Sequence, residues 1–358
     1  MRLLIAAGGT GGHVIPALAL AKKVKKKCPL AEIQFVGTSQ GFEATAVPKE
    51  GFALQYIEIK GMKGYGFLSK VFRLALLPKA FWQSFCLLKK FQPDIVFGLG
   101  GYVSGPLLLL ASFSKAYTAI LEPNAASGFS NRWLGKFCDR VFVAFDCVAK
   151  DFSPKKVMYT GNPLREEILE VVAPDYEKKP WCILVFGGSQ GARSINQAVV
   201  EMLASDPQCK KYHWIHQTGK HDFEWVRSAY ENAGVDAQVK VFFEDMAQVY
   251  RESHVVIARS GSSVLEILAV GRPSVLIPYP YAADQHQKKN AQYIEEIGAA
   301  IVVMDENVRS GQLHESLKSM LSQSEKLKRM SEAATRGKKI DASECILNDF
   351  LQHLKPSV

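Results

Sequence analysis

Residues 1–16 read MRLLIAAGGTGGHVIP, and residues 181–192 return to the same grammar as WCILVFGGSQGA. In the first stretch Leu3, Leu4, Ile5, Ala6 and Ala7 form a short continuous apolar run that stops at Gly8-Gly9, the pattern of a strand covered by helices on both faces. Pro16 offers a φ suited to a first helical turn, Ala17 to Val24 are good helix formers, and Lys25-Lys26-Lys27 fall where a helix C-terminus favours cations. Because Gly8, Gly9, Gly11 and Gly12 carry no side chains, backbone amides at the helix start can approach an anion or a sugar closely. His13 stands at the rim of that turn. An imidazole there serves as a base near neutral pH or as a hydrogen-bonded structural residue, and the stretch alone leaves both open.

The second stretch lies about half a chain length further on. Its apolar run meets Gly187-Gly188-Ser189-Gln190-Gly191, and Ala192 to Ala204 reads as a helix, so two similar nucleotide-type domains are expected. Strand-like segments at Glu32–Gly37, Leu54–Ile59, Asp94–Leu99, Tyr117–Leu121 and Arg140–Phe145 alternate with helical stretches in the first half. Tyr212–Gln217, Val239–Phe243, His254–Ala258, Ser274–Ile277 and Ala300–Val303 do so in the second. Such alternation argues for an α/β architecture of doubly wound parallel sheets. GLGGYVSGP at Gly98–Pro106 is another glycine-rich turn, expected beside Gly11-Gly12 at the C-terminal edge of the first sheet. Pro154, Lys155, Lys156 and Gly161-Asn162-Pro163 mark a domain boundary near Asp151–Asn162.

A length of 358 residues exceeds one ordinary core, which suggests two domains of roughly 150 to 180 residues. With 47% hydrophobic and 22% charged residues the chain has the composition of a globular protein, not a disordered one. Seven cysteines are scattered without a C-x-x-C pair, which fits a reduced setting and argues against zinc. The first strand begins at the N-terminus, so no cleavable signal is expected. No apolar run approaches the ~20 residues needed to span a bilayer, and a soluble or peripheral protein is expected. The net charge of +9 calls for an anionic partner: nucleic acid, lipid or a phosphorylated ligand.

Lys60 to Pro93 concentrates that charge. It holds Lys60, Lys63, Lys70, Arg73, Lys79, Lys89 and Lys90 and no acidic residue, with Phe67, Leu68, Val71, Phe72, Leu74, Leu76 and Leu77 before Pro78 and Phe81, Trp82, Phe85 and Leu88 after it. A basic, aromatic, amphipathic segment too short to span reads as a membrane-surface contact through Phe67, Val71, Phe72, Trp82 and Phe85. The competing reading is a packing helix whose lysines are solvated, and the absence of acid favours the membrane.

In the second half, Gly187-Gly188-Ser189 offers amides and a hydroxyl at a helix start, an arrangement that suits a diphosphate. Arg165 ends GNPLR near the boundary, where a guanidinium can fork onto phosphate oxygens. Arg259-Ser260-Gly261-Ser262-Ser263 opens a helix whose first turn carries Glu266, a carboxylate that suits ribose hydroxyls or simply a helix start. Asp284 to Asn290 opens another helix with amide side chains that can read sugar hydroxyls. No D-x-D occurs, so no carboxylate-held metal and no cofactor is expected, and leaving-group charge falls to helix amides and arginine. Ser310 to Ile340 is expected to be helical, with a basic patch at Arg336–Lys339. Asp341 with Glu344 reads as a capping box for a last helix whose face (Ile346, Leu347, Phe350, Leu351, Leu354) needs a partner.

Taken together, GGTGGHVIPALA at Gly8–Ala19, GLGGYVSGP at Gly98–Pro106, EPNAASGFSNR at Glu122–Arg132, GNPLR at Gly161–Arg165, GGSQGA at Gly187–Ala192 and RSGSSVLEI at Arg259–Ile267 resemble, in the same order and over nearly the full length, the MurG family. These are peripheral membrane glycosyltransferases that turn lipid I into lipid II in peptidoglycan synthesis. The resemblance implies a GT-B fold, two Rossmann-like domains facing a cleft. Residues 1–160 with a returning last helix at 341–358 would bind the lipid acceptor and an anionic membrane surface. Residues 161–340 would bind UDP-N-acetylglucosamine. Carried over by position, Thr10, Gly11, Gly12 and Asn124 face the donor sugar, Arg165 and Ser189 the diphosphate region, Phe243 the uracil through its backbone, and Glu266 the ribose. Gln287 and Asn290 read the sugar, and His13 is the general base. Pro123 and Ser262-Ser263-Val264 depart from the family's usual residues. The implied place of work is the cytoplasmic face of the inner membrane, without nucleic acid. Two other classes fit the same motifs: a sugar-nucleotide epimerase, and a nucleotide-sensing scaffold without chemistry. An NAD-dependent oxidoreductase fits least, because neither glycine turn spells G-x-G-x-x-G with an acidic residue after the next strand.

Overall fold

The computed structural model describes residues 1–59, 76–336 and 341–354. They form two compact units, Met1–Arg165 with Ile340–Val358, and Glu166–Lys339. The stretch Gly161–Arg165 clusters with the first unit.

In the first unit the described strands are β1 (Arg2–Ala6), β2 (Glu32–Gly37), β3 (Ala53–Tyr56), β4 (Ile95–Gly98), β5 (Tyr117–Glu122), β6 (Arg140–Val143) and β7 (Val157–Tyr159). They pair in parallel in the order β3-β2-β1-β4-β5-β6-β7. The apolar runs read from the sequence are these strands, with ends shifted by up to three residues. β7 falls inside the stretch expected to mark a domain boundary: it is short and, among the described residues, pairs with β6 alone, and Pro154 and Gly161 around it read as punctuation.

Helices α1 (Gly11–Lys27), α2 (Glu43–Lys49), α3 (Leu77–Phe91), α4 (Gly101–Ala111) and α5 (Phe129–Leu134) join the strands. α1 begins ahead of Pro16, so the proline lies inside the helix and Gly11, Gly12 and His13 form its first turn. Helix start was misplaced because Gly-Gly is a poor helix former that the β1 turn nevertheless draws into the helix.

The last helix belongs to this unit. Among the elements of the second unit, introduced below, it is the final one in chain order, α14 (Ala342–His353). Ile346, Leu347 and Phe350 are buried in the first unit's core with Leu3, Ile5 and Leu20. The Phe350 ring meets Phe97 at 5.6 Å and Phe142 at 6.1 Å, both edge-on, geometries that aromatic pairs favour. Asp349, almost fully buried, accepts from Tyr117 Oη at 2.6 Å and Arg140 Nε at 2.9 Å. Asp341 caps α14 by accepting from Glu344 N at 3.1 Å. That bond is one arm of the expected capping box, and the carboxylates of Asp341 and Glu344 also meet Lys23 of α1 at 2.9 and 3.0 Å. Those bonds push the Lys23 ammonium up to about 12.

The second unit repeats the plan. Strands β8 (Cys182–Phe186), β9 (His213–Gln217), β10 (Ala237–Lys240), β11 (Val255–Ala258), β12 (Ser274–Leu276) and β13 (Ala300–Val302) lie parallel in the order β10-β9-β8-β11-β12-β13. Its described helices are α6 (Glu166–Leu169), α7 (Arg193–Ser205), α8 (Phe223–Ala233), α9 (Met246–Glu252), α10 (Ser263–Ala269), α11 (His286–Glu296), α12 (Leu313–Leu321) and α13 (Ser324–Arg336). The helical tract expected over Ser310–Ile340 is thus α12 and α13, entered through a π-type turn at Val308–Gln312; residues 337–340, including Gly337, Lys338 and Lys339 of the basic patch, lie outside the described residues. In both sheets strand order reverses beside the first strand, between β1 and β4 and between β8 and β11. Loops at the C-terminal ends of those strands flank a topological switch point, where open α/β sheets take their ligands.

Candidate active site

At the first switch point two glycine turns lie side by side, as expected. Leu99 N donates to Ala6 O at 3.1 Å, and Ser104 Oγ donates to Gly100 O at 2.7 Å and to Ala6 O at 3.3 Å. The turns are pressed so closely that a Cβ on Gly8 would sit 2.6 Å from Val103 Cγ2, and one on Gly101 would lie 3.7 Å from His13 Nδ1. Gly9 adopts φ 97°, a conformation that glycine alone enters easily.

His13, half-buried in the first turn of α1, points Nδ1 at Gly8 O, 3.3 Å away. A carbonyl only accepts, so this contact is a hydrogen bond when Nδ1 carries the proton. Nε2 then holds the lone pair, the form a general base requires. Thr10 is exposed, and Gly11 and Gly12 are partly exposed beside it.

Two buried carboxylates, neither singled out from the sequence, hold this site together. Glu43, at the start of α2, is fully buried and accepts from Gly9 N at 2.9 Å, Thr38 N at 2.7 Å and Thr38 Oγ1 at 2.8 Å. Glu122, at the end of β5, accepts from Asn124 N and Nδ2 at 3.1 and 3.2 Å, and from Gly128 N and Asn131 Nδ2 at 2.9 Å each. Burial raises the Glu122 pKa above the usual carboxylate value, and the four donors oppose that shift. Asn124 is therefore oriented by Glu122, half-buried beside the turn. Arg165 is half-buried where the first unit's chain ends.

At the second switch point Gly187–Gly191 follows β8, with Gly188 at φ 93° and Gly191 at φ 77°. A Cβ at Gly191 would run into the Thr218 carbonyl, so glycine is needed for close approach as well as for φ. Ser189 is exposed on the loop ahead of α7. Phe243 is buried, and its N–H donates to Gln217 Oε1 at 2.9 Å. Glu266 lies in the first turns of α10 and accepts from Tyr250 Oη at 3.4 Å.

Gln287 Oε1 accepts from Tyr279 N at 2.9 Å and its carbonyl accepts from Ser260 Oγ at 2.8 Å. Asn290 is fully buried and donates to Ser260 O at 3.1 Å. Both therefore pin the 259–263 loop to α11. Arg259 is taken up by Asp305 at 2.5 Å and Ser194 Oγ at 2.9 Å, a tie between β11 and α7.

Of the expected membrane residues, Phe67, Val71 and Phe72 lie outside the described residues. Trp82 and Phe85 are on α3, 67% and 47% exposed and stacked at 6.1 Å. The residues this helix buries are Ala80 and Ser84. Lys79 is paired with Glu58 at 2.7 Å. Among the described residues no helix is long and apolar enough to cross a membrane.

Residues 3–143 match the glycosyltransferase family 28 N-terminal domain and residues 182–346 its C-terminal domain. The chain is 40% identical over 339 residues, 94% of its length and 88% of the relative's, to the UDP-N-acetylglucosamine--N-acetylmuramyl-(pentapeptide) pyrophosphoryl-undecaprenol N-acetylglucosamine transferase of Anaeromyxobacter dehalogenans (strain 2CP-C). It is 38% identical over 357 residues, 98% of each chain, to the protein of that name in Geobacter sulfurreducens. The crystal structure of Acinetobacter baumannii MurG superposes with a TM-score of 0.80 at 29% identity, covering 98% of this chain and 99% of that one. A UDP-N-acetylglucosamine 2-epimerase superposes at 0.65 with 16% identity over 99% and 96% of the two chains, a likeness of fold alone. With relatives this similar over nearly the whole length and both domain families matched, the chain belongs to the MurG family of glycosyltransferases.

Proposed function

We propose that this protein transfers N-acetylglucosamine from UDP-N-acetylglucosamine to the muramyl 4-hydroxyl of lipid I, with inversion at C1, giving lipid II for peptidoglycan synthesis. The observation that carries the chemistry is His13, whose Nδ1 faces Gly8 O and whose Nε2 then holds the lone pair. His13 Nε2 takes the hydroxyl proton as the oxygen forms its bond to C1. The C1–O bond to phosphate breaks on the opposite side, and its electron pair leaves with UDP.

Thr10, Gly11, Gly12 and Asn124 serve the donor sugar. Glu266 accepts the ribose hydroxyls and the Phe243 carbonyl meets the uracil. Amides of Gly187–Gly191 with Ser189 and Arg165 take the charge that develops on the diphosphate. Gln287 and Asn290 contribute by fixing the 259–263 loop, with Gln287 nearest the sugar. The first unit serves as the acceptor domain and the second as the donor domain.

The protein works peripherally, at the cytoplasmic face of the membrane. Support comes from α3, which buries its small residues and exposes Trp82 and Phe85, the reverse of a helix that packs through its aromatics. Radiolabel transfer from UDP-N-acetylglucosamine to a lipid I analogue tests the reaction. Label appearing in epimerised UDP-sugar without acceptor would instead point to an epimerase.

A further inference from the structure

Gln217 closes β9 and is 3% exposed, a polar side chain sunk at the C-terminal edge of the second sheet. Its amide reaches two different loops. Nε2 donates to Gly188 O at 3.0 Å, and Oε1 accepts from Phe243 N at 2.9 Å. The orientation is determined by its partners, since a flipped amide would set donor against donor and acceptor against acceptor.

The segment around it is held from below. His216 is buried between Asn196 Oδ1 at 3.0 Å and Tyr230 Oη at 3.2 Å. Asn196 Nδ2 donates to Thr218 O and to Asp222 Oδ2 at 2.9 Å each. Thr218 N and Gly219 N donate to Lys240 O and Val241 O at 3.0 and 3.1 Å. Neither loop can move from the other without leaving a buried amide group unsatisfied, which costs more than the bond itself is worth.

We propose that Gln217 is a positioning residue of the donor site: it clamps the glycine loop at 187–191 to the loop that carries Phe243, so that the two ends of a nucleoside diphosphate meet a site of fixed span. The inference rests on the reading of those loops as the diphosphate and base contacts. Gln217 acts through the loops and carries out no proton transfer.

Calorimetric titration of the full chain with UDP, alongside donor kinetics, tests it in wild type, Gln217→Leu and Gln217→Glu. Leu removes both bonds, and UDP binding should weaken about tenfold. The KM for donor should rise to match, with kcat at saturating donor within about threefold. Glu keeps the acceptor for Phe243 N and donates to Gly188 O only when protonated, so its affinity relative to wild type should recover as pH falls. The Leu variant should show no such recovery.

UDP affinity in Gln217→Leu equal to wild type overturns the proposal. So does a Gln217→Glu variant whose affinity tracks wild type at every pH, and this arm decides should the Leu variant fail to fold. Wild-type protein that does not bind UDP overturns the reading of the loops, and the proposal with it, before any variant is compared.

Discussion

The Glu43 side chain accepts from the backbone N–H of Gly9 at 2.9 Å across 34 residues of chain, so a fully buried acid side chain holds the glycine turn on which His13 stands. Its other oxygen is filled by Thr38, through N at 2.7 Å and Oγ1 at 2.8 Å. Replacing Glu43 by Ala leaves the amides of Gly9 and of buried Thr38 without this acceptor, a loss of about 3 kcal/mol. Thermal unfolding should shift down by on the order of 5–10 °C. Because the loop proposed to take the diphosphate is in the other unit, UDP affinity should hold while turnover falls. A Glu43→Ala protein with wild-type turnover would mean that the turn does not depend on this bond.

His13→Ala removes the proposed base and leaves the second unit's donor loops untouched. The expected result is a fall in kcat of about 10²- to 10⁴-fold with little change in donor KM. A variant that loses donor affinity instead would place His13 among the binding groups.

How far the sequence alone could lead is seen at these residues. The strands were legible because short apolar runs alternate with helical stretches, and the two repeated glycine turns after β1 and β8 placed both switch points. His13 was legible because it ends the first turn. Glu43 was not: it is a lone acid in a short helix, and its partners Gly9 and Thr38 come from two separate loops that only the fold brings together. Gln217 offered a weak signal, a polar residue at the end of an apolar strand, whose meaning depends on loops far along the chain. α14 needed the third dimension as well, since its apolar face could be read but not the core that receives it.

Burial lowers the His216 pKa from 6.5 to about 3. The unfolded chain takes up a proton as pH falls through 6.5 that the folded chain refuses until near 3. The contribution of this side chain to stability is therefore complete above the unfolded pKa and is lost across that window, by roughly 1 kcal/mol per pH unit. His216→Gln cannot titrate. It should be less stable than wild type near neutrality, through the lost contacts with Asn196 and Tyr230. Denaturant midpoints should fall less steeply in the variant than in wild type between about pH 6 and about pH 4. Parallel curves would show that His216 is not the group responsible.

Trp82 and Phe85 expose stacked rings on a helix whose last turn carries Lys89 and Lys90. Rings of this kind sit at a bilayer interface with their edges among headgroups, and each cation near an anionic surface adds about 1 kcal/mol of attraction. The double substitution Trp82→Glu, Phe85→Glu removes the apolar contact and sets two negative charges against the lipid. Since neither ring is buried in the unit, thermal stability should stay close to wild type. Flotation with vesicles containing anionic lipid should drop severalfold, and added salt should weaken wild-type binding through screening of the lysines. Turnover on a water-soluble acceptor analogue should be retained, because the substitutions touch neither glycine turn. If the doubly substituted protein floats as wild type does, α3 is a solvated surface helix and the membrane contact must be sought elsewhere on the chain.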